Sequence, residues 1–334
     1  MGIVTTLEEI VRKASLALVP LLPGCIAVHY PLDQHYKGPK EISKFGQTYY
    51  SYSKGPPKLE LDSILEDNEY YTLRHLVFDN KDSSYGLACV DYYDVKREGK
   101  NPLIIISPVL IGSDIASESF ARYFARNGVA VALIDKIDDG LWNLVQQEGF
   151  AVLMEDGLKK SVVNIRRVLD YFEQQEDIDN SRIGSFGISM GGIKNCVAAS
   201  IDSRLKVNVF CLTGEDLPYL FLNSDIGMIE IPRRKLLKRY SEHPELYLTL
   251  ELGLNLVSDP KHFASSLDAR NTMMIIASYD RGLPTSQQFA LRERIGNPET
   301  IIIPAGHYTS FFWMRSIRDD VLEFFNRRFA KLDR

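Results

Sequence analysis

The chain has 334 residues, of which 45% are hydrophobic and 25% charged. Those values suit one large α/β domain with decorations, or two small domains, with enough apolar residues for a sizeable core without staples. With 39 basic against 44 acidic residues the net charge is −5, and no Lys/Arg stripe interleaved with aromatics occurs, which argues against nucleic acid as a partner. Four cysteines, Cys25, Cys89, Cys196 and Cys211, form no C-x-x-C pair and no ligand spacing with the six histidines. A structural zinc site is therefore not expected, and the last three cysteines read as small buried hydrophobes.

No run reaches the roughly 20 apolar residues of a membrane-spanning helix. Near the start, Arg12 and Lys13 precede an apolar run, Ala14 to Leu22, that ends in Leu22-Pro23-Gly24-Cys25. This is the layout of a bacterial lipoprotein signal, with a lipid anchor on Cys25 and a mature protein facing the periplasm or cell surface. Pro23 is atypical in such a box, and Glu8 and Glu9 are unwelcome before it, although translation from Val11 would remove both acids. The competing expectation is an amphipathic N-terminal helix with an ordinary cysteine, in a cytoplasmic protein.

Residues 26 to about 70 are rich in Tyr, Lys, Pro and Gly without clear periodicity, and are expected as an extended N-terminal arm. From Tyr71 two alternating segments, Tyr71 to Phe78 and Gly86 to Tyr93, flank the polar turn Asp79-Asn80-Lys81-Asp82 and predict an antiparallel hairpin at the edge of a sheet. Short apolar runs follow: Leu103 to Ile106, Val129 to Ile134, Arg182 to Phe186, Val207 to Leu212, Met273 to Ala277 and Ile301 to Ile303. Uninterrupted Val/Ile/Leu runs fit parallel strands buried on both faces. The covering helices are marked by Leu158, Val162, Ile165, Leu169 and Phe172, and near the C-terminus by Ile317, Val321 and Phe324, all at helical spacing. The pattern predicts a mostly parallel, doubly wound α/β sheet with an antiparallel N-terminal edge. Between Thr213 and Arg270 the rhythm breaks at Pro232, Pro244 and Pro260, and the interval is expected as a helical insertion, either a lid or a structural excursion.

Gly187-Ile188-Ser189-Met190-Gly191 is a G-x-S-x-G pentapeptide. The pattern arises by chance about 0.1 times in such a chain, so its context decides. It follows the strand ending at Phe186 and opens a helix through Cys196, Val197 and Ala199, which is the setting of a nucleophile on a strained strand-to-helix turn. A serine hydroxyl needs a neighbouring base. His29, His35, His75, His243 and His262 fall outside the sheet core or in the insertion. His307, in Pro304-Ala305-Gly306-His307-Tyr308 after the last strand, is the expected base. Asp280, on the loop after the preceding strand, is the expected orienting acid; its alternative role is to cap the next helix, and Glu215 or Asp216 is the runner-up acid. An oxyanion hole would use the N–H of Met190 and one from the loop after Ile106, that of Leu110 or Val109. Asp114 in that loop reads as a helix cap.

Arg182 to Gly192 (RIGSFGISMGG), Asp280 with Pro284 four residues on, and Gly306 to Ser310 (GHYTS) together resemble the dienelactone hydrolase-like branch of the α/β-hydrolase superfamily, over about residues 71 to 330. The resemblance implies an α/β-hydrolase fold, an acyl-enzyme on the nucleophile, a small-molecule acyl ester substrate and no cofactor or metal. Dienelactone hydrolases proper use a cysteine nucleophile, whereas Ser189 stands here, so the implied activity is that of a carboxylesterase, including deacetylation as in related sugar esterases. The alternatives are a non-catalytic member retained for binding or an envelope role, and an acyltransferase or peptidase with the same triad.

Overall fold

The structure, a computed structural model, describes residues 26–79, 88–109, 115–134, 149–240 and 242–332. The expectations for the first 25 residues, including the lipid anchor on Cys25, and those for Leu110 and Asp114 lie outside the described residues. In chain order the strands are β1 (Val28–Tyr30), β2 (Leu59–Asp67), β3 (Tyr71–Phe78), β4 (Ala88–Val95), β5 (Asn101–Ser107), β6 (Ala130–Ile134), β7 (Ile178–Ile188), β8 (Val207–Cys211), β9 (Thr272–Ala277) and β10 (Glu299–Ile303). The helices are α1 (Lys44–Tyr49), α2 (Ile115–Arg126), α3 (Phe150–Phe172), α4 (Met190–Ile201), α5 (Leu217–Asn223), α6 (Gly227–Leu237), α7 (Pro244–Asn255), α8 (Pro260–Phe263), α9 (Thr285–Ile295) and α10 (Met314–Leu332).

All ten strands join one sheet in the order β1-β10-β9-β8-β7-β5-β6-β4-β3-β2. The central strands β6-β5-β7-β8-β9-β10 are parallel. They are the apolar runs of the sequence, and β5, β6, β8 and β9 are buried at every residue, as strands covered by helices on both faces must be. Phe120 and Phe124 of α2 meet Phe186 of β7 and Phe325 of α10 in a ring cluster, with centroids 4.4 to 6.0 Å apart. Each such buried side chain contributes about 1.5–3 kcal/mol. From β5 the chain winds to β6 on one side and returns to β7 on the other, so the sheet's switch point falls between β5 and β7, where ligand crevices form at the carboxyl ends of strands.

Two expectations need correction. The segment from 26 to 70 is not a bare arm: β1 pairs antiparallel with β10, and β2 pairs antiparallel with β3. β3 and β4 pair antiparallel as expected, with the expected turn residues Asn80 to Asp82 and the start at Gly86 outside the described residues, but β2 lies beyond them and is the true edge. Neither strand left a signal because β1 is exposed throughout and β2 is largely exposed on both faces, so backbone pairing rather than a buried side holds them and no period-2 pattern arises. Side chains tie the rest of the segment down. Tyr50 is fully buried, with its hydroxyl 2.7 Å from that of Ser258, and Tyr52 and the Gly55 N–H both donate to Asp170.

The interval after β8 does carry helices, α5 to α8. Pro244 and Pro260 open α7 and α8 at the first turn, where their missing N–H costs nothing, while Pro232 sits inside α6. Leu217, Leu220, Phe221, Leu236, Leu248 and Leu252 build a second apolar cluster on Phe150 of α3 and Ile193 of α4, separate from the main core. Cys196 and Cys211 are buried as expected, and burial pushes the Cys211 thiol up to about 12; Cys89 is only partly buried.

Candidate active site

Ser189 stands between β7 and α4 with φ 55° and ψ −122°, a positive φ that a non-glycine residue holds only when its surroundings enforce it. Those surroundings are its glycines. A Cβ on Gly187 would lie 2.5 Å from the Gly191 carbonyl, and one on Gly191 would lie 2.2 Å from the Ser107 carbonyl oxygen. Neither position tolerates a side chain, so the pentapeptide's flanking glycines are a steric requirement of the turn. Gly192, which the pentapeptide does not include, is also crowded, though by a side chain: a Cβ there would fall 1.9 Å from Thr213 Oγ1. The Ser189 N–H donates to Cys211 O across to β8 (2.8 Å), and Ser189 O accepts from Ile193 N (3.1 Å). The side chain is 7% exposed.

The two expected partners converge on it. His307 Nε2 lies 3.3 Å from Ser189 Oγ, and His307 Nδ1 lies 2.9 Å from Asp280 Oδ2. The loop sequence after β10 explains how the histidine is held. Gly306 N donates to Thr309 Oγ1 (2.8 Å), and Ser310 donates through its hydroxyl to His307 O (2.6 Å) and through its N–H to Gly306 O. Asp280 is buried, and its other oxygen accepts from Gly282 N and Leu283 N, both at 2.8 Å. The following helix α9 is preceded by Pro284, without a side-chain cap, so Asp280 closes its own turn rather than capping that helix. A Cβ on Gly282 would lie 2.9 Å from His307 Cγ, so this glycine lets the acid loop approach the imidazole.

The runner-up acids are engaged elsewhere. Glu215 is held by the Arg294 guanidinium, and Asp216 pairs with Lys261 at 3.1 Å. Of the remaining histidines, His75 pairs with Asp91 across β3 and β4 at 2.8 Å.

Met190 is the first residue of α4, so its N–H has no partner within the helix and lies at the positive end of the helix dipole. The end of β5 runs alongside it: Ser107 pairs with Gly187 in the sheet, and the Ser107 and Pro108 carbonyls face Gly191. Asn195, fully buried on α4, accepts from Ser107 Oγ (2.6 Å) and donates to Phe186 O (2.8 Å). Val109 is partly buried against the core. Sequence reasoning missed Asn195, and it also missed Gln288 of α9. Gln288, fully buried, donates through Nε2 to Asp280 Oδ2 (3.0 Å) and to Leu283 O (2.8 Å). A polar residue at a position otherwise facing the core is the signal that could have found both.

Two exposed aromatics flank the row. Tyr279 precedes Asp280 and is 70% exposed; Tyr308 follows His307, is 69% exposed, and meets the imidazole edge-on at 5.6 Å. Partial burial and the carboxylates of Asp225 and Asp280 hold the Tyr308 hydroxyl above its ordinary pKa. Among the described residues no His/Cys/Asp/Glu group is arranged to hold a metal ion, and no helix is long and apolar enough to cross a membrane.

No protein-family model matches the chain, and no curated protein matches it in sequence. Solved structures do match in fold. The acetyl xylan esterase from Paenibacillus sp. R4 superposes with a TM-score of 0.62 at 20% identity, over 83% of this chain and 91% of that one. Acetyl xylan esterase 1 from Thermoanaerobacterium sp. JW/SL YS485 gives 0.61 at 16% identity, over 90% and 99%. The acylaminoacyl peptidase of Pyrococcus horikoshii gives 0.57 at 17% identity, over 78% of this chain and 42% of its own. The chain has the α/β-hydrolase fold, with antiparallel strands at both edges of the sheet and a helical insertion between β8 and β9.

Proposed function

On this α/β-hydrolase scaffold, we propose that the chain is a serine hydrolase that cleaves a carboxylic ester of a small molecule through an acyl-enzyme on Ser189. The observation that carries the proposal is the continuous row Asp280, His307, Ser189, with both links within 3.3 Å and the serine on a strained turn at a helix N-terminus. His307 Nε2 takes the proton from Ser189 Oγ as the oxygen attacks the ester carbonyl, and Asp280 holds the tautomer and balances the imidazolium. The oxyanion is met by the Met190 N–H, with a second donor from the loop after β5, at Val109 or Leu110. Collapse expels the alcohol, which leaves with the proton from His307. Water then attacks the acyl group, gives its proton to His307, and Ser189 is restored as the acid departs. No cofactor enters any step.

The two acetyl xylan esterases among the structural neighbours support a short acyl group carried on a carbohydrate or another alcohol. Tyr279 and Tyr308, exposed beside the base, suit a ring-bearing leaving group that stacks on them.

A fluorophosphonate probe tests the nucleophile: the wild type is labelled and Ser189→Ala is not, and equal labelling of the two would remove the assignment. A p-nitrophenyl ester series from acetyl to palmitoyl then bounds the acyl group, with acetyl expected to be hydrolysed fastest.

A further inference from the structure

The insertion helix α7 is apolar on two opposite sides. Leu248 and Leu252 are fully buried against the second core cluster. On the other side Leu246, Leu250 and Leu254, spaced four apart, are 56%, 51% and 81% exposed, and Tyr247 beside them is half exposed. Spacing of four keeps the three leucines on one face, in a row about 12 Å long. An amphipathic surface helix has one apolar face; a second, exposed one marks a contact surface.

The end of α6 and the two residues after it supply the charge. Residues 233 to 239 read Arg-Arg-Lys-Leu-Leu-Lys-Arg, five cations with no acid, in a chain whose net charge is −5. Arg234, Lys235, Lys238 and Arg239 are exposed, and Arg234 pairs with Glu230 one turn back. The basic run adjoins the leucine row. Tyr240, directly after it, stacks on Tyr247 with rings 5.7 Å apart and 12° from parallel, and its hydroxyl donates to Glu251 of α7. Of the acids nearby, Glu230 and Glu251 are the partners of Arg234 and Tyr240, and Glu242 and Glu245, just before and at the start of α7, are exposed.

We infer that this outer face of the insertion docks onto an anionic lipid surface, with the leucine row entering the acyl boundary and the basic run meeting lipid phosphates. An apolar row bordered by cations, with tyrosines at the boundary, is the arrangement an anionic membrane interface recognises. A second copy packed on the same row would bring a second basic run to the same seam, where like charges oppose one another. Because the inner side of the insertion packs on Met190 next to the nucleophile, docking would set the candidate site beside the membrane.

The test is flotation of the full chain, in a Cys25→Ser background that removes any N-terminal lipid, with phosphatidylcholine vesicles made with or without phosphatidylglycerol. The expected result is flotation on the anionic vesicles alone, weakening as salt is raised. Leu250→Ser with Leu254→Ser should lower partitioning at least about ten-fold, and Lys238→Gln or Arg239→Gln about five-fold each. Thermal melting and hydrolysis of a soluble p-nitrophenyl ester should stay unchanged in all of them. No flotation, equal flotation of wild type and leucine variants, or a dimer in sedimentation velocity that the leucine substitutions abolish would each overturn the inference.

Discussion

The amide of Gln288 reaches the same oxygen of Asp280 that His307 Nδ1 reaches, at 3.0 Å against 2.9 Å. With Gly282 N and Leu283 N on the other oxygen, the carboxylate accepts four hydrogen bonds in a buried site, so its position is set by contacts outside the row it serves. Gln288→Ala should lower kcat about ten-fold with little change in KM, because the imidazole loses its fixed support rather than its substrate. The emptied buried site should cost about 1–3 kcal/mol of stability. Steady-state kinetics and a urea melt read the two effects, and an unchanged kcat would reduce Gln288 to a packing residue.

Asp280→Asn keeps the shape of the side chain but reverses the hydrogen bond that fixes the histidine tautomer. It should lower kcat about 10⁴-fold. Glu215→Gln, whose side chain is committed to Arg294, should leave kcat within about three-fold while lowering the melting temperature, since a partly buried charge loses its partner. The opposite ranking of the two variants would transfer the orienting role to Glu215.

Gly191→Ala places a methyl group 2.2 Å from the Ser107 carbonyl oxygen. The backbone must move, and with it the Met190 N–H and the loop after β5. The expected loss is at least about a hundred-fold in kcat, the scale of one oxyanion donor, in protein that still melts cooperatively. Near-normal turnover would show that the loop after β5 is free to yield.

Glu155 is the buried carboxyl that joins the N-terminal segment to the insertion: it accepts from the Tyr49 hydroxyl and from the N–H and hydroxyl of Ser258. Burial raises its pKa, with the hydrogen bonds from Ser258 and Tyr49 pulling the other way. The folded state therefore binds the proton more tightly than the unfolded chain. Its contribution is fully present below the unfolded value of about 4.5 and is lost as pH rises from there through the higher folded value. Glu155→Gln should flatten the fall in melting temperature across that window; parallel curves for wild type and variant would place the pH dependence elsewhere.

The central sheet was legible because its signals are local and repeated. Strands such as Leu103 to Ile106 are apolar at every residue because both faces are covered, and the cover helices repeat their apolar residues at helical spacing. The candidate site was legible for a different reason: a serine at positive φ demands glycine on both sides, and the loop that holds His307 uses Gly306, Thr309 and Ser310 around it. These are short-range steric and hydrogen-bonding requirements, and they are written in consecutive residues.

What the tertiary structure decided lies where partners are far apart in the chain or where burial is weak. The edge strands β1 and β2 are held by backbone bonds to β10 and β3, which any exposed sequence can make. Asn195 with Ser107, and Gln288 with Asp280, are pairings that only the packing of α4 and α9 on the sheet creates. The fold likewise places Asp280 against His307 and gives Glu215 to Arg294, which is why the proposed row runs through Asp280. The sequence determined the strands, the elbow and the order of its three polar residues, because each is a local constraint; long-range packing determined the sheet's edges, the supports of the row and the exposed leucine face of α7.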